Sequence, residues 1–387
     1  MRAKIFKLVI LINDLSFFCS HRLPIAEAAI NESFDVVVGY GELGGANPKI
    51  LEQKGIKVSF VPMKRGSINV LKDLQSLFYI WRFFKREKPD IVHLVTIKPY
   101  LYGGIIARLT SIPALVSAVS GLGTLFIHQD LKSKILKFLL YPIYCLAFNH
   151  SNQIVILQNQ EDANMLTKWG VLDFNKAQIL KGSGIKLENF NKLEDVPGIP
   201  VVCFAARLLV DKGVKEFVAA ARLLNERKIQ ARFFLAGDLD TQNPNSLNVD
   251  DLKKIREEGF VEILGYQKDI PLLYSRSHII CLPSYREGLP KALMEAAAAG
   301  RAVVTTDVPG CRDAIIPNKS GLIVPVKDSE ALAKAIQDLI NNPERRKKMG
   351  VKGRELAKKE FAIENIVDAH LKIYKDLYRI WRDLWKE

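Results

Sequence analysis

The segment SYREGLPKALMEAAAAGRAVVTTDVPG, residues 284–310, sets carboxylates, glycine and proline in an order that suits sugar and phosphate chemistry. The apolar strand IICLP runs into a loop carrying Glu287 and Gly288, and Pro290 stands at the first turn of an alanine-rich helix that Gly300 closes. A helix start offers unpaired backbone N–H groups and the positive end of the helix dipole, a setting for a diphosphate. Glu287 lies in the loop and Glu295 about a turn and a half into the helix, so both can address one cleft from different heights. A carboxylate can accept hydrogen bonds from two adjacent hydroxyls, which is what a ribose or hexose offers. In FAARLLVDKGVKEF, residues 204–217, Arg207 and Lys212 leave the end of a strand and enter the next helix, at the carboxyl edge where open α/β sheets bind ligands. A guanidinium grips phosphate with two donors and an ammonium adds a mobile point charge. Together they could neutralise a departing diphosphate without a metal.

A competing pattern is Gly39, Gly41 and Gly44 in VVVGYGELGG, which satisfies G-x-G-x-x-G after a strand. The glycines follow the second strand rather than the first, Pro48 interrupts the next segment, and the positions about twenty residues on are basic, Lys64 and Arg65. An acidic residue would be needed there to hold an adenosine ribose, so a dinucleotide is not expected.

These residues need elements to place them. Apolar runs recur between helical patterns: KLVILI (7–12), DVVVGY (35–40), IVHLV (91–95), ALVSAV (114–119) and IVIL (154–157), then VVCFAA (201–206), RFFLAG (232–237), VEILG (261–265), IICLPS (279–284), AVVTTD (302–307) and GLIVPV (321–326). Short apolar strands alternating with helix-length segments imply parallel sheets covered on both faces. The stretch KLEDVPGIPVV punctuates the two series, and two Rossmann-like domains follow, over 1–192 and 193–365. Residues 366–387 repeat apolar positions at Leu371, Tyr374, Tyr378, Trp381 and Trp385, an amphipathic helix expected to return to the domain junction.

The 387 residues carry 56 Lys and Arg against 42 Asp and Glu, a net charge of +14 that favours an anionic partner. Nine of the excess positive charges fall in residues 1–190 and five in 191–387. The five cysteines are widely spaced with no CxxC pair, which argues against a disulfide framework or zinc site. The amino-terminal run reads as a first core strand rather than a signal peptide. The longest apolar stretch, FLLYPIYCLAF at 138–148, is much shorter than the roughly 20 residues that span a bilayer.

The segments AARLLVDKG, LPSYREGLPKALMEA and VTTDVPGCRDAI together resemble the nucleotide-binding half of retaining glycosyltransferases of the GT-B fold, the large two-glutamate family of glycosyl transferases group 1. The likeness continues through FFCSHRLPIAEAA, PDIVHLVTIKPYLYGGIIARL, VSGLGTLF and QNQEDANML, and so covers nearly the whole chain. It is strongest to bacterial enzymes that add hexose or N-acetylhexosamine units to undecaprenyl-diphosphate-linked saccharides. The resemblance implies two domains facing across a cleft, the first binding acceptor and the second a nucleotide sugar, UDP-linked, as substrate rather than cofactor. Glu295 would hold the donor ribose, Glu287 would lie beside the transferred sugar, and Gly288, Leu289 and Pro290 would give backbone contacts. Arg207 and Lys212 match the phosphate-binding pair. Many relatives carry a histidine after the fourth strand, where this chain has Ser120 and Gly121; His128, further on, reads as an ordinary loop histidine. Asp238-Leu239-Asp240 spells the metal-holding triplet of the other glycosyltransferase fold, but it follows a strand deep in the second domain and reads as a solvated loop.

His21 and Arg22 after the first strand, and Lys98 after IVHLV, are candidate contacts to an acceptor diphosphate. Two segments could meet an anionic membrane. Residues 69–88 place Leu71, Leu74, Phe78, Trp81 and Phe84 on one stripe, read as core-facing, whereas residues 130–144 mix lysines with Leu, Phe and Tyr and suit an interface. These features imply a cytoplasmic enzyme, peripheral at the inner face of the membrane. A sugar-nucleotide epimerase on the same fold is the alternative enzyme. A nucleic-acid binder would explain the charge, but the chain has no recognised motif for it.

Overall fold

A computed structural model describes residues 6–384 apart from 64–68, 124, 125, 127–129, 191–196 and 242. Lys64, Arg65, His128 and Trp385 lie outside the described residues. The chain forms two compact units, one of residues Met1–Gly184 with Glu364–Glu387 and one of Ile185–Ile363.

The first unit holds a seven-stranded sheet of β1 (Phe6–Asp14), β2 (Phe34–Glu42), β3 (Lys57–Phe60), β4 (Ile91–Val95), β5 (Ala114–Val119), β6 (Gln153–Leu157) and β7 (Ala177–Ile179). All pairs are parallel, in the order β3-β2-β1-β4-β5-β6-β7. The central strand β1 is covered on both faces because successive side chains alternate. Val9 and Leu11 join Phe83, Tyr100 and Tyr144 on one side. Leu8, Ile10 and Ile12 join Phe18, Val36 and Tyr374 on the other. Helix Ile363–Leu384 completes that second side with Leu371, Ile373, Tyr374 and Leu377, and Tyr378 packs its ring 4.0 Å from that of Phe6.

The three glycines after Val38 have packing roles. A Cβ on Gly39 would lie 2.7 Å from the Phe83 ring, and one on Gly41 would lie 2.4 Å from the Met63 carbonyl. A Cβ on Gly44 would meet the Asp14 carboxylate at 2.3 Å. The G-x-G-x-x-G spacing here records close approach of neighbouring chain segments.

Helix Val70–Glu87 corrects one expectation. Leu71, Leu74, Phe78 and Trp81 are exposed, Leu71 at 78%, while Ser76, Ile80, Phe83 and Phe84 face the core. Of the expected stripe only Phe84 is buried; Ser76, Ile80 and Phe83, two positions along from Leu74, Phe78 and Trp81, carry the rest of the burial.

The second unit holds β8 (Val201–Ala205), β9 (Arg232–Ala236), β10 (Glu262–Gly265), β11 (Ile279–Leu282), β12 (Ala302–Thr306) and β13 (Gly321–Val324), all parallel in the order β10-β9-β8-β11-β12-β13. In each sheet the order of connection reverses once, between β1 and β4 and between β8 and β11. The carboxyl ends of those strand pairs are where an open α/β sheet leaves a crevice for ligand.

Candidate functional site

The reversal point of the second sheet gathers the residues singled out above. Arg207 and Lys212 follow β8, and Glu287, Gly288, Leu289 and Pro290 follow β11. The two loops are laced together: the Tyr285 N–H donates to the Asp211 carbonyl at 2.8 Å and the Ser284 hydroxyl to the same oxygen at 2.9 Å. From the neighbouring strand, Thr306 Oγ1 donates to the Ser284 carbonyl and Thr305 Oγ1 to that of Leu282 at 2.7 Å.

Two glycines fix the approach of these loops. Gly213 caps helix Val214–Glu226 with φ +76°, and a Cβ there would fall 2.1 Å from the Pro283 carbonyl. Gly310 has φ +73°, and its Cβ would fall 2.2 Å from the Gly288 carbonyl. A side chain at either position would be strained in its own backbone and would push the Glu287 loop outward.

On this frame Lys212 Nζ forms an ion pair with Glu287 Oε1, which lies 2.8 Å from Ser284 Oγ and competes with the Asp211 carbonyl for its one proton. The side chains are 20% and 10% exposed, so the pair is shielded. Arg207 is 45% exposed, and its Nη1 donates to Asp240 Oδ2 at 2.5 Å. Gly288, Leu289 and Pro290 are buried. Pro290 occupies the cap position rather than the first turn, and helix Lys291–Ala298 begins one residue later than the sequence suggested.

Glu295 lies on that helix with 14% of its side chain exposed. Desolvation raises its pKa to about 7, against which Lys291, with Nζ 3.7 Å from Oε1, pulls downward. A carboxylate held so near neutrality by burial is poised to gain from hydroxyl donors brought by a ligand.

Sequence reasoning missed Asp240 and Ser284 as partners of these groups. Asp240 belongs to the triplet read as a solvated loop. Asp238 is structural, its Oδ1 accepting the Tyr266 N–H at 3.1 Å, whereas Asp240 faces Arg207. Among the described residues no group of three His, Cys, Asp or Glu side chains could hold a metal ion.

The first unit places its cations differently. Arg22 is 3% exposed; its Nη1 donates to the His21 carbonyl at 3.1 Å and its Nε is buried without a partner among the described residues. Burial lowers its pKa to about 10; burial, aided by the Arg22 charge, also lowers those of His93 and His370, and burial raises that of Tyr374, against which Arg22 pulls downward. His93 Nδ1 and the Tyr374 hydroxyl lie 2.6 Å apart, and His370 Nδ1 bonds the Ile366 carbonyl at 2.7 Å. Arg22 is therefore an interior group and not the ligand-facing cation its position suggested. His21 is half-buried, with its ring stacked 4.0 Å from that of Phe17 and Nδ1 2.7 Å from Ser20 Oγ. Lys98 pairs with Asp73 at 2.7 Å. Ser120 Oγ is buried without a partner among the described residues.

Comparison with known proteins agrees with this geometry. Residues 186–356 match the model for glycosyl transferases group 1, and residues 7–159 match a glycosyl transferase 4-like model. The chain is 30% identical over 334 residues to N,N'-diacetylbacillosaminyl-diphospho-undecaprenol alpha-1,3-N-acetylgalactosaminyltransferase of Campylobacter jejuni, covering 83% of this chain and 86% of that protein. It is 27% identical to UDP-Gal:alpha-D-GlcNAc-diphosphoundecaprenol alpha-1,3-galactosyltransferase of Escherichia coli, covering 79% of this chain and 80% of that one. Among solved structures, a glycosyltransferase from Rickettsia africae superposes with a TM-score of 0.76 at 18% identity, covering 97% of this chain and 99% of that one. Anabaena HepE, in complex with UDP and glucose, superposes with a TM-score of 0.77 at 18% identity, covering 96% and 99%. Two parallel-sheet units, a two-glutamate loop and helix, and full-length relatives lead to one assignment: the chain belongs to the glycosyl transferases group 1 family and is a glycosyltransferase of the GT-B fold.

Proposed function

We propose that this glycosyltransferase moves a hexose or N-acetylhexosamine from a UDP-linked donor to a saccharide carried on a lipid diphosphate, with retention at the anomeric carbon and without a metal. The observation that carries the donor half is the frame around Glu295: a buried carboxylate on the helix that follows the Glu287 loop, beside two cations on the loop after β8. Glu295 would accept from the ribose hydroxyls, Arg207 and Lys212 would balance the diphosphate, and the amino end of helix Lys291–Ala298 would add its dipole. Glu287 would stand beside the transferred sugar. As charge builds on the leaving diphosphate, the fixed cations stabilise it without reorganisation, which is why the reading needs neither metal nor cofactor. The lipid-linked acceptor is supported by the relatives, whose names specify undecaprenyl-diphosphate saccharides. His21, the last residue of helix Leu15–His21 after β1, and Lys98, after β4, remain the acceptor candidates in the first unit.

The same reading includes a peripheral site of action at the cytoplasmic face of an anionic membrane, with no role for nucleic acid. No helix among the described residues is long and apolar enough to cross a membrane. Helix Leu131–Phe148 exposes Leu131, Ile135, Phe138 and Leu139, Phe138 at 80%, next to Lys134. Exposed apolar rows flanked by lysine suit the headgroup boundary of an anionic bilayer.

A thermal-shift screen of UDP-, GDP- and ADP-sugars, followed by transfer to a polyprenyl-diphosphate saccharide, tests the proposal. Stabilisation by a UDP-sugar and a product with retained configuration are expected. Silence with every donor would sink it.

A further inference from the structure

The two ion pairs at the reversal point of the second sheet differ in what holds them. The Lys212–Glu287 pair is shielded, and Ser284 gives Glu287 a second partner. The Arg207–Asp240 pair is outward, and the backbone around it is secured independently of the side chains. The Leu208 N–H donates to the Asp238 carbonyl at 3.0 Å and the Leu247 N–H to the Leu208 carbonyl at 2.9 Å. Leu209 and Ser246 form an antiparallel bridge, and the Asp240 N–H donates to Ser246 Oγ at 3.0 Å. Residues 207 and 240 would stay adjacent with their charges removed.

The Arg207 end of the pair is nearly half exposed and screened by solvent, while Asp240 is 15% exposed, and a pair with one screened end contributes modestly to folding. The loop therefore does not need this pair for its shape. What the pair does is neutralise a guanidinium and fix its direction. Its single carboxylate oxygen engages one arm of a fork built for two. A diphosphate brings more acceptor oxygens and more charge than one carboxylate, so it can replace Asp240 on Arg207 at small cost.

We propose that Asp240 is a positioning residue, a stand-in anion that aims Arg207 in the empty enzyme and is exchanged for a donor phosphate on binding. The inference rests on the donor reading above and adds a competitor to it. Asp240 lowers nucleotide affinity slightly, keeps Arg207 off other anions, and reclaims the guanidinium when the nucleoside diphosphate departs.

The test is the affinity of UDP and uridine for the unaltered protein and for Asp240→Asn, Asp240→Ser, Arg207→Ala and the Arg207→Ala/Asp240→Asn double variant, by calorimetry at low salt. Both Asp240 variants should bind UDP about two- to fivefold more tightly, the range an exposed ion pair allows. Uridine, lacking phosphate, should be unaffected, and Asp240→Asn should change nothing once Arg207 is absent. The gain should shrink in concentrated salt. Unchanged or weaker UDP binding by both Asp240 variants would overturn the proposal. So would equal tightening of uridine, or an effect that survives the loss of Arg207. Failure of the unaltered protein to bind UDP would overturn the donor reading and this inference with it, which separates the two kinds of failure.

Discussion

The two sheets reverse their order once each, and each reversal point has cations after its strands, yet the two places treat charge in opposite ways. After β8 and β11, Arg207 and Lys212 face carboxylates from other loops, at positions a ligand can contest. After β1, Arg22 is enclosed with His93, His370 and Tyr374. Position in a Rossmann-like sheet therefore does not assign a cation its task. The neighbours do: a small-residue frame such as Gly213 and Gly310 keeps the loop tips open for ligand, whereas helix Ile363–Leu384 lays aromatic and imidazole groups over Arg22.

If the comparison holds, changes at the second sheet should alter transfer and spare stability, and changes around Arg22 should do the reverse. The largest effect is expected from Lys212→Ala and Glu295→Ala, each lowering kcat/KM by about a hundredfold or more with the melting temperature little changed. Steady-state kinetics beside thermal unfolding would show it, and near-normal turnover of either variant would break the contrast. Next, Tyr374→Phe strips the partner from His93 Nδ1 in the interior and should cost about 1–3 kcal/mol of stability, read by denaturant unfolding, with donor KM unchanged. A shifted donor KM would mean that the first unit's buried cluster speaks to the donor after all.

The smallest effect is in pH. Glu295 has a folded pKa of about 7, above its ordinary 4.5, so the empty protein favours its neutral form. That contribution to stability is full below 4.5 and is lost as pH rises through about 7. Ribose hydroxyls donate best to the ionised form. Donor KM should thus fall by up to about tenfold per pH unit toward 7 and level off above it, and Glu295→Gln should flatten the profile. His370 runs the other way: burial lowers its pKa from 6.5 to about 3, so its contribution is present above 6.5 and is lost as pH falls toward 3.

Every apolar run read as a strand became one, because a strand covered on both faces must be apolar at nearly every position, whereas the stretch at 138–148 became part of helix Leu131–Phe148. The two strands that were not legible, β3 and β7, are the edges of the first sheet, and their residues are exposed or half-buried, with none fully buried. Glu287, Glu295 and Lys212 were legible because glycine and proline punctuate their loops. Asp240 was not, since a pairing across a separation of 33 residues leaves no local signal. The burial of Arg22 was equally hidden, for the side chains around it come from β4 and from a helix more than 340 positions away. The stripe on helix Val70–Glu87 misled for a different reason: an apolar row at helical spacing shows that a surface will be covered, without showing whether the protein itself covers it.

Helix Ile363–Leu384 has one more consequence, for the order of events at the ribosome. The first unit is begun by residues made early and closed by a helix made late, after the whole of Ile185–Ile363. At bacterial and eukaryotic elongation rates the interval is roughly 10–40 s. Throughout it, the sheet face that will receive Tyr374 and Leu377 has only part of its cover, from Phe18, Ile25 and Ala29, while the second unit, continuous in the chain, can fold to completion. The second unit can thus be finished before the first.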